Sequence, residues 1–158
     1  MKELLEYRAS LIDRLVRVTD AFCNVCRDVP DAFAPLAGSD WNVHQVAVHV
    51  RDIDKLVYSA RARRTAAEDN PEFQNFDGEA YMVEHYSAAE PLAGVLNELR
   101  TNVENFASML RELPPQAWSR ESRHATLGHG FTLQIWVERD LAHIEEHMAT
   151  LRGDRHNL

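Results

Sequence analysis

From about Leu4 to Arg27, apolar residues recur every three or four positions. Leu4, Leu11, Leu15, Val18, Phe22 and Val25 hold the stripe, with Arg8 in the remaining slot. That period predicts a long amphipathic helix with one buried face. Val29-Pro30-Asp31 stops it, and the stretch to Asp40, with two prolines and a glycine, reads as a connector. Asn42 and Gln45 have capping-box spacing. Val43, Val46, Val50, Ile53, Val57 and Ala60 then predict a second helix to about Ala66. Residues Glu68 to Ser87 break the period. Asn70-Pro71 and Asp77-Gly78 are turn signals, yet Phe73, Phe76, Tyr81, Met82 and Tyr86 are too many large apolar groups for a disordered linker. The segment is read as an ordered crossover with a short helix near Glu79 to His85.

Ser87 and Glu90 repeat the capping-box spacing, with Pro91 near the first turn. Leu92, Leu96, Leu99, Val103, Phe106, Leu110 and Leu113 form a near-heptad third helix, ended by Pro114-Pro115. Val95 and Met109 widen its apolar face, which serves either a broad core or a subunit contact. Ala117-Trp118 reads as a short turn. Ser119 to Gly130 is polar, and Gly128-His129-Gly130 suggests a tight turn or small hairpin; no other strand is expected. A fourth helix runs from Thr132 to about Arg152, Gly153 stops it, and the last five residues should fray. Four long amphipathic helices predict an all-α fold, a four-helix bundle forming a single domain over residues 1–158. The long crossover between helices two and three lets those two run parallel.

The formal charge of −8 and the absence of a Lys/Arg run argue against nucleic acid or an anionic membrane as the main partner. No stretch approaches the roughly 20 apolar residues of a membrane span. Met1-Lys2-Glu3-Leu4-Leu5-Glu6 is too charged for a signal peptide, so a cytoplasmic location is expected. The two cysteines, Cys23 and Cys26, form a C-x-x-C late in the first helix. Without a second ligand pair or a βαβ setting they read as small, partly buried thiols rather than as a zinc or redox motif.

The chemistry concentrates in the fourth helix. Trp136, Asp140, His143 and His147 fall on one stripe, beside the apolar stripe of Val137, Leu141, Ile144, Met148 and Leu151. Two imidazoles at i and i+4 can reach one ion; as a pair alone they are equally two ordinary surface histidines. His49, at the edge of the second helix's stripe, can join them if those helices are neighbours. Three histidines plus water make an open, reactive metal site. Asp140, one turn before His143, could orient its ring, and Asp52 could do the same for His49 or simply face solvent. A zincin motif is ruled out, because Ile144 stands where the base Glu must follow the first His. A di-iron centre lacks its second acidic-x-x-His. Tyr81, Glu84 and His85 fit local packing of the short helix better than a site. His44, His124, His129 and His156 read as surface residues.

Trp41-Asn42-Val43, His49-Val50-Arg51-Asp52 and His143-Ile144-Glu145-Glu146-His147 together resemble the DinB-like superfamily. That group includes proteins assigned as YfiT-like metal-dependent hydrolases, the bacillithiol transferases and the mycothiol-dependent maleylpyruvate isomerases. The resemblance covers nearly the whole chain. It implies an up-down-down-up bundle with His49, His143 and His147 as a divalent-metal triad, Zn or Ni foremost. It further implies a metal-dependent enzyme acting on a small-molecule substrate, either a thiol-dependent S-transferase or a hydrolase, and a homodimer. A low-molecular-weight thiol would be the cofactor of the first, although no motif here identifies one. The competing expectation is a non-enzymatic metal-binding or stress-induced protein.

Overall fold

The structure, a computed structural model, describes residues 1–153; the expected fraying and His156 lie outside the described residues. Helix α1 (Lys2–Asp28) buries Leu11, Leu15 and Phe22. The second long segment begins with α2 (Val43–Ile53), passes through a π turn (Asp54–Tyr58) and continues as α3 (Ser59–Ala67). Its start is the expected capping box. Asn42 Oδ1 accepts from the Gln45 N–H at 2.8 Å, and Gln45 Oε1 accepts from the Asn42 N–H at 2.9 Å. The π turn departs from the unbroken helix that the sequence predicts. It holds one more residue than an α turn, and the Ser59 hydroxyl donates to the Asp54 carbonyl at 2.6 Å. The register therefore shifts. Ala60, expected in the core, is half-buried, while Asp54, Ala62 and Thr65 are buried.

The crossover holds a two-residue strand, β1 (Glu72–Phe73), and a short helix, α4 (Gly78–His85). Helix α5 (Leu92–Glu112) follows with Pro91 at its cap and no side-chain cap bond, so the Ser87/Glu90 capping box does not form. Glu90 is used elsewhere, its carboxylate taken by the Arg51 guanidinium. A charge-assisted, two-pronged pair outweighs a single cap bond. After a 3₁₀ turn (Pro115–Ser119), β2 (Glu121–His124) and β3 (Gly128–Thr132) make the expected hairpin. Strand β1 joins β2 in parallel, a pairing too short for any periodicity to announce. Helix α6 (Leu133–Leu151) is capped by the Thr132 hydroxyl, which accepts from the Ile135 N–H.

Contacts between the long helices fix their directions. Tyr7 meets Glu138 and Arg14 meets Glu145, so α1 and α6 run parallel. Asp13 meets Arg111 and Asp20 meets Arg100, so α1 and α5 are antiparallel. His44 meets the Glu90 carbonyl and Lys55 meets Glu98, so α2 and α5 run parallel. The bundle is thus up-down-down-up, as expected, with the crossover returning the chain between the two descending segments. The core gathers Phe22, Val50, Leu99, Phe106, Trp136 and Ile144. Val95 is fully buried and Met109 packs against the core, so the breadth of the third helix's apolar face is used internally. Cys23 and Cys26 are fully enclosed. Burial pushes both thiols up, Cys26 to about 12, which leaves them unreactive. Among the described residues no helix is long and apolar enough to cross a membrane.

Candidate metal centre

Helix α2 carries His49 and helix α6 carries His143 and His147. Because the second segment runs antiparallel to α6, the three rings meet inside the bundle. His143 Nε2 lies 3.1 Å from His49 Nε2 and 3.1 Å from His147 Nε2, and the ligand atoms of all three fall within 4.8 Å of one another. With metal–imidazole bonds of about 2.0–2.1 Å, two nitrogens on one tetrahedral ion stand about 3.3 Å apart. The observed spacing therefore fits a single ion, with the fourth position open. Electrostatics favour the ligating form. Desolvation, then the neighbouring His147, holds His49 down to about 4; burial and both neighbours press His143 lower still; burial lowers His147. All three rings are neutral at pH 7, and neutral imidazole is the metal ligand.

The surroundings fix the rings. The Trp41 ring packs on His49 at 4.7 Å between centroids. Gly78, at the start of α4, presses against the same ring: a Cβ there would stand 3.1 Å from His49 Cε1 and 3.4 Å from Ile53 Cδ1. Tyr58, the last residue of the π turn, lies 5.8 Å from the His143 ring. About two turns before His143, the buried Trp136 indole donates to the Ser122 hydroxyl at 2.8 Å, which donates to the Phe131 carbonyl at 2.7 Å. This chain ties α6 to the hairpin.

Asp140 is fully buried, but its partner is not His143. Its carboxyl neighbours that of Asp54, also fully buried, and among the described residues neither carboxyl has a hydrogen-bond partner. Desolvation pushes Asp54 up to about 6 and Asp140 well above the usual carboxylate range; the like charge of Asp54 raises Asp140 further. Two carboxyls so enclosed resist ionising together. His143 Nδ1 is likewise buried without a partner. Asp52 accepts from Arg51 Nε at 2.9 Å and so braces the Arg51–Glu90 pair instead of His49.

Sequence reasoning missed three buried polar residues. Asp54 reaches the core only through the π turn. His44, expected at the surface, is buried. Its Nε2–H donates to the Glu90 carbonyl and its Nδ1 accepts from the Tyr86 hydroxyl, both at 2.7 Å. His124, also expected at the surface, is buried as well; its Nδ1 accepts from the Thr126 and Leu127 N–H groups and closes the hairpin turn. His129 is exposed. Tyr81 stacks on His85 at 4.0 Å, and Glu84 faces solvent, so that trio packs locally. A cavity of about 540 Å³ opens on the far side of Trp41, lined by Trp41, Gln45, Glu79, Met82, Val83 and Tyr86 among others. Trp41, which touches His49, forms part of its wall.

An up-down-down-up bundle with three histidines converging from its second and fourth helices defines the DinB-like class. Residues 12–149 match the profile of the mycothiol maleylpyruvate isomerase N-terminal domain, and the chain belongs to that family. Among solved structures it is similar to YfiT from Bacillus subtilis, described as a probable metal-dependent hydrolase with an unusual four-helix bundle topology. The TM-score is 0.84 at 22% identity, over 94% of this chain and 85% of that one. No curated protein matches the sequence.

Proposed function

We propose that the protein is a divalent-metal enzyme, a thiol-dependent S-transferase that deprotonates a low-molecular-weight thiol and joins its sulfur, with the thiol's own carbon–sulfur bond intact, to a small electrophilic substrate. The observation that carries this reading is the convergence of three neutral imidazole nitrogens at 3.1 Å spacings beside a cavity of substrate size. An ion held by His49, His143 and His147 would supply Lewis acidity at its open position, lowering the pKa of a thiol bound there. The chain's own residues do the rest. Burial keeps the ligands unprotonated. Trp41 and Gly78 set the pose of His49. The cavity beside Trp41 offers apolar walls at Met82, Val83 and Tyr86, with carboxylates at Asp40 and Glu79 on its rim. The family's mycothiol-dependent reaction supports the thiol as nucleophile.

The same centre could activate water instead, and the likeness to YfiT favours that hydrolase reading. A turnover screen separates the two. The metal-loaded protein is assayed with mycothiol, bacillithiol or glutathione plus an electrophile, and separately with activated esters and amides. EDTA-sensitive conjugation supports thiol transfer; EDTA-sensitive hydrolysis without thiol supports the alternative. Metal binding with no turnover in either arm would replace both with a non-enzymatic metal-binding role.

A further inference from the structure

Beside the metal centre lies a second chemical feature that the triad does not use. On the His143 side, Tyr58 leads one turn along α3 to Arg61, and Trp136 leads one turn along α6 to Arg139. Both guanidinium groups lie over the same indole: Arg61 Cζ stands 4.9 Å and Arg139 Cζ 5.8 Å from the Trp136 ring centroid. Arg139 also lies over Phe131, itself stacked on Trp136, and Arg61 lies near Phe73. Among the described residues neither arginine has a carboxylate within ion-pair distance. Arg61 donates only to the Gln74 carbonyl, and Arg139 makes no side-chain hydrogen bond. The acids nearest in the fold are otherwise placed: Glu72 is paired with Arg123, and Glu146 is exposed one turn beyond the site.

Two arginines without an acid partner share one aromatic platform, in a chain of net charge −8. Among the described residues six other arginines meet an acid, namely Arg14, Arg51, Arg64, Arg100, Arg111 and Arg123. Stacking on rings orients a guanidinium and leaves its in-plane N–H groups free, the arrangement suited to a carboxylate or phosphate. Mutual repulsion between the two charges is relieved when an anion sits between them.

We propose that Arg61 and Arg139, with the Tyr58 hydroxyl beside them, form an anion-recognition site flanking the metal centre, which holds a carboxylate or phosphate carried by the substrate or thiol. The site rests on the metal-enzyme reading for its role, but its existence is tested without metal. Trp41, which packs on His49, walls the cavity on one side of the centre, and Tyr58 leads to the arginines on the His143 side, so a ligand anchored by its anionic end would present its other groups to the metal centre.

The test is a titration of the metal-free protein with succinate, and separately with inorganic phosphate, at constant ionic strength. Arginine Nε–H NMR signals are followed. The signals of Arg61 and Arg139 should move together along one saturable curve with at least one of the anions, and the better anion identifies the chemistry. Arg139→Gln should weaken that binding about tenfold, as expected for loss of one of two charge-assisted contacts. Arg17→Gln, the same loss of charge on the exposed face of α1, should leave it unchanged. Because Arg61 is half-buried and donates to the Gln74 carbonyl, whereas Arg139 is exposed, Arg139 is the better variant, and a thermal melt checks that it folds. Linear, unsaturated shifts with both anions, or equal weakening by Arg17→Gln, would overturn the proposal and leave the arginines as stacked surface charges. Metal content is unaffected either way, so failure here is distinguishable from failure of the metal centre.

Discussion

Replacing Asp54 by Asn should change how stability responds to pH in a calculable way. Asp54 and Asp140 are both fully buried against each other. Burial raises the Asp54 pKa from 3.8 to about 6. At about 1.4 kcal/mol per unit, that shift amounts to on the order of 3 kcal/mol. An acid whose folded-state pKa exceeds its unfolded value binds more protons when folded. Its favourable contribution is complete below about pH 4 and is lost as pH rises through about 6. The triad histidines act in the opposite sense. Their folded-state values are lowered, so they make stability fall as pH drops below about 6.5. The wild-type profile mixes both effects, and the difference between wild type and Asp54→Asn isolates the acid pair. Asn has the same shape, cannot ionise and can donate to Asp140. The variant's stability relative to wild type should rise by on the order of 3 kcal/mol between about pH 4 and pH 7. Urea unfolding of the metal-free proteins across that range measures it. Parallel stability curves for the two proteins would refute a buried carboxyl pair that resists ionising.

Other consequences follow from the same geometry. Gly78→Ala places a methyl 3.1 Å from the His49 ring and should weaken metal binding roughly tenfold or more while the protein stays folded, as read by competition with a chromophoric chelator. Because burial already holds the triad neutral, bound metal should survive dialysis at about pH 5.5, below the ordinary imidazole pKa of about 6.5; release near pH 6.5 would show that the rings are not desolvated. Chelation should lower the melting temperature but leave the helical circular dichroism intact at 25 °C, since the apolar core folds the bundle without the ion. Collapse of the helical signal with EDTA would make the site structural.

Much of this arrangement was legible in the chain because its determinants are local. The i,i+4 pair His143/His147 lies on a helix without Gly or Pro, and the Asn42/Gln45 box sets where His49 falls on its helix. What stayed hidden depends on register and on tertiary contact. The π turn at Asp54–Tyr58 inserts a residue that no 3.6-residue period reveals, and it is this insertion that buries Asp54 and exposes part of Ala60. Asp140 pointed towards His143 in the helical wheel; its true partner comes from the segment shifted by that turn. His124 sits in a short polar stretch with no period at all. His44 had a faint signal. Val43, Val46, Ala47, Val48 and Val50 leave α2 apolar nearly all round, the mark of a helix enclosed on every side, so a histidine among them had little chance of reaching solvent. The Ser87/Glu90 box was a false signal because Arg51, distant in sequence, captures Glu90.

The most direct test of the central claim is the metal content of the purified protein and of His49→Ala, His143→Ala and His147→Ala, measured by elemental analysis after loading with Zn or Ni and exhaustive dialysis. The account predicts one divalent ion per chain in the wild type and loss of most of it in each variant, with helical content retained. A wild type that holds no ion, or any one variant that keeps full occupancy, would contradict a centre built from these three histidines.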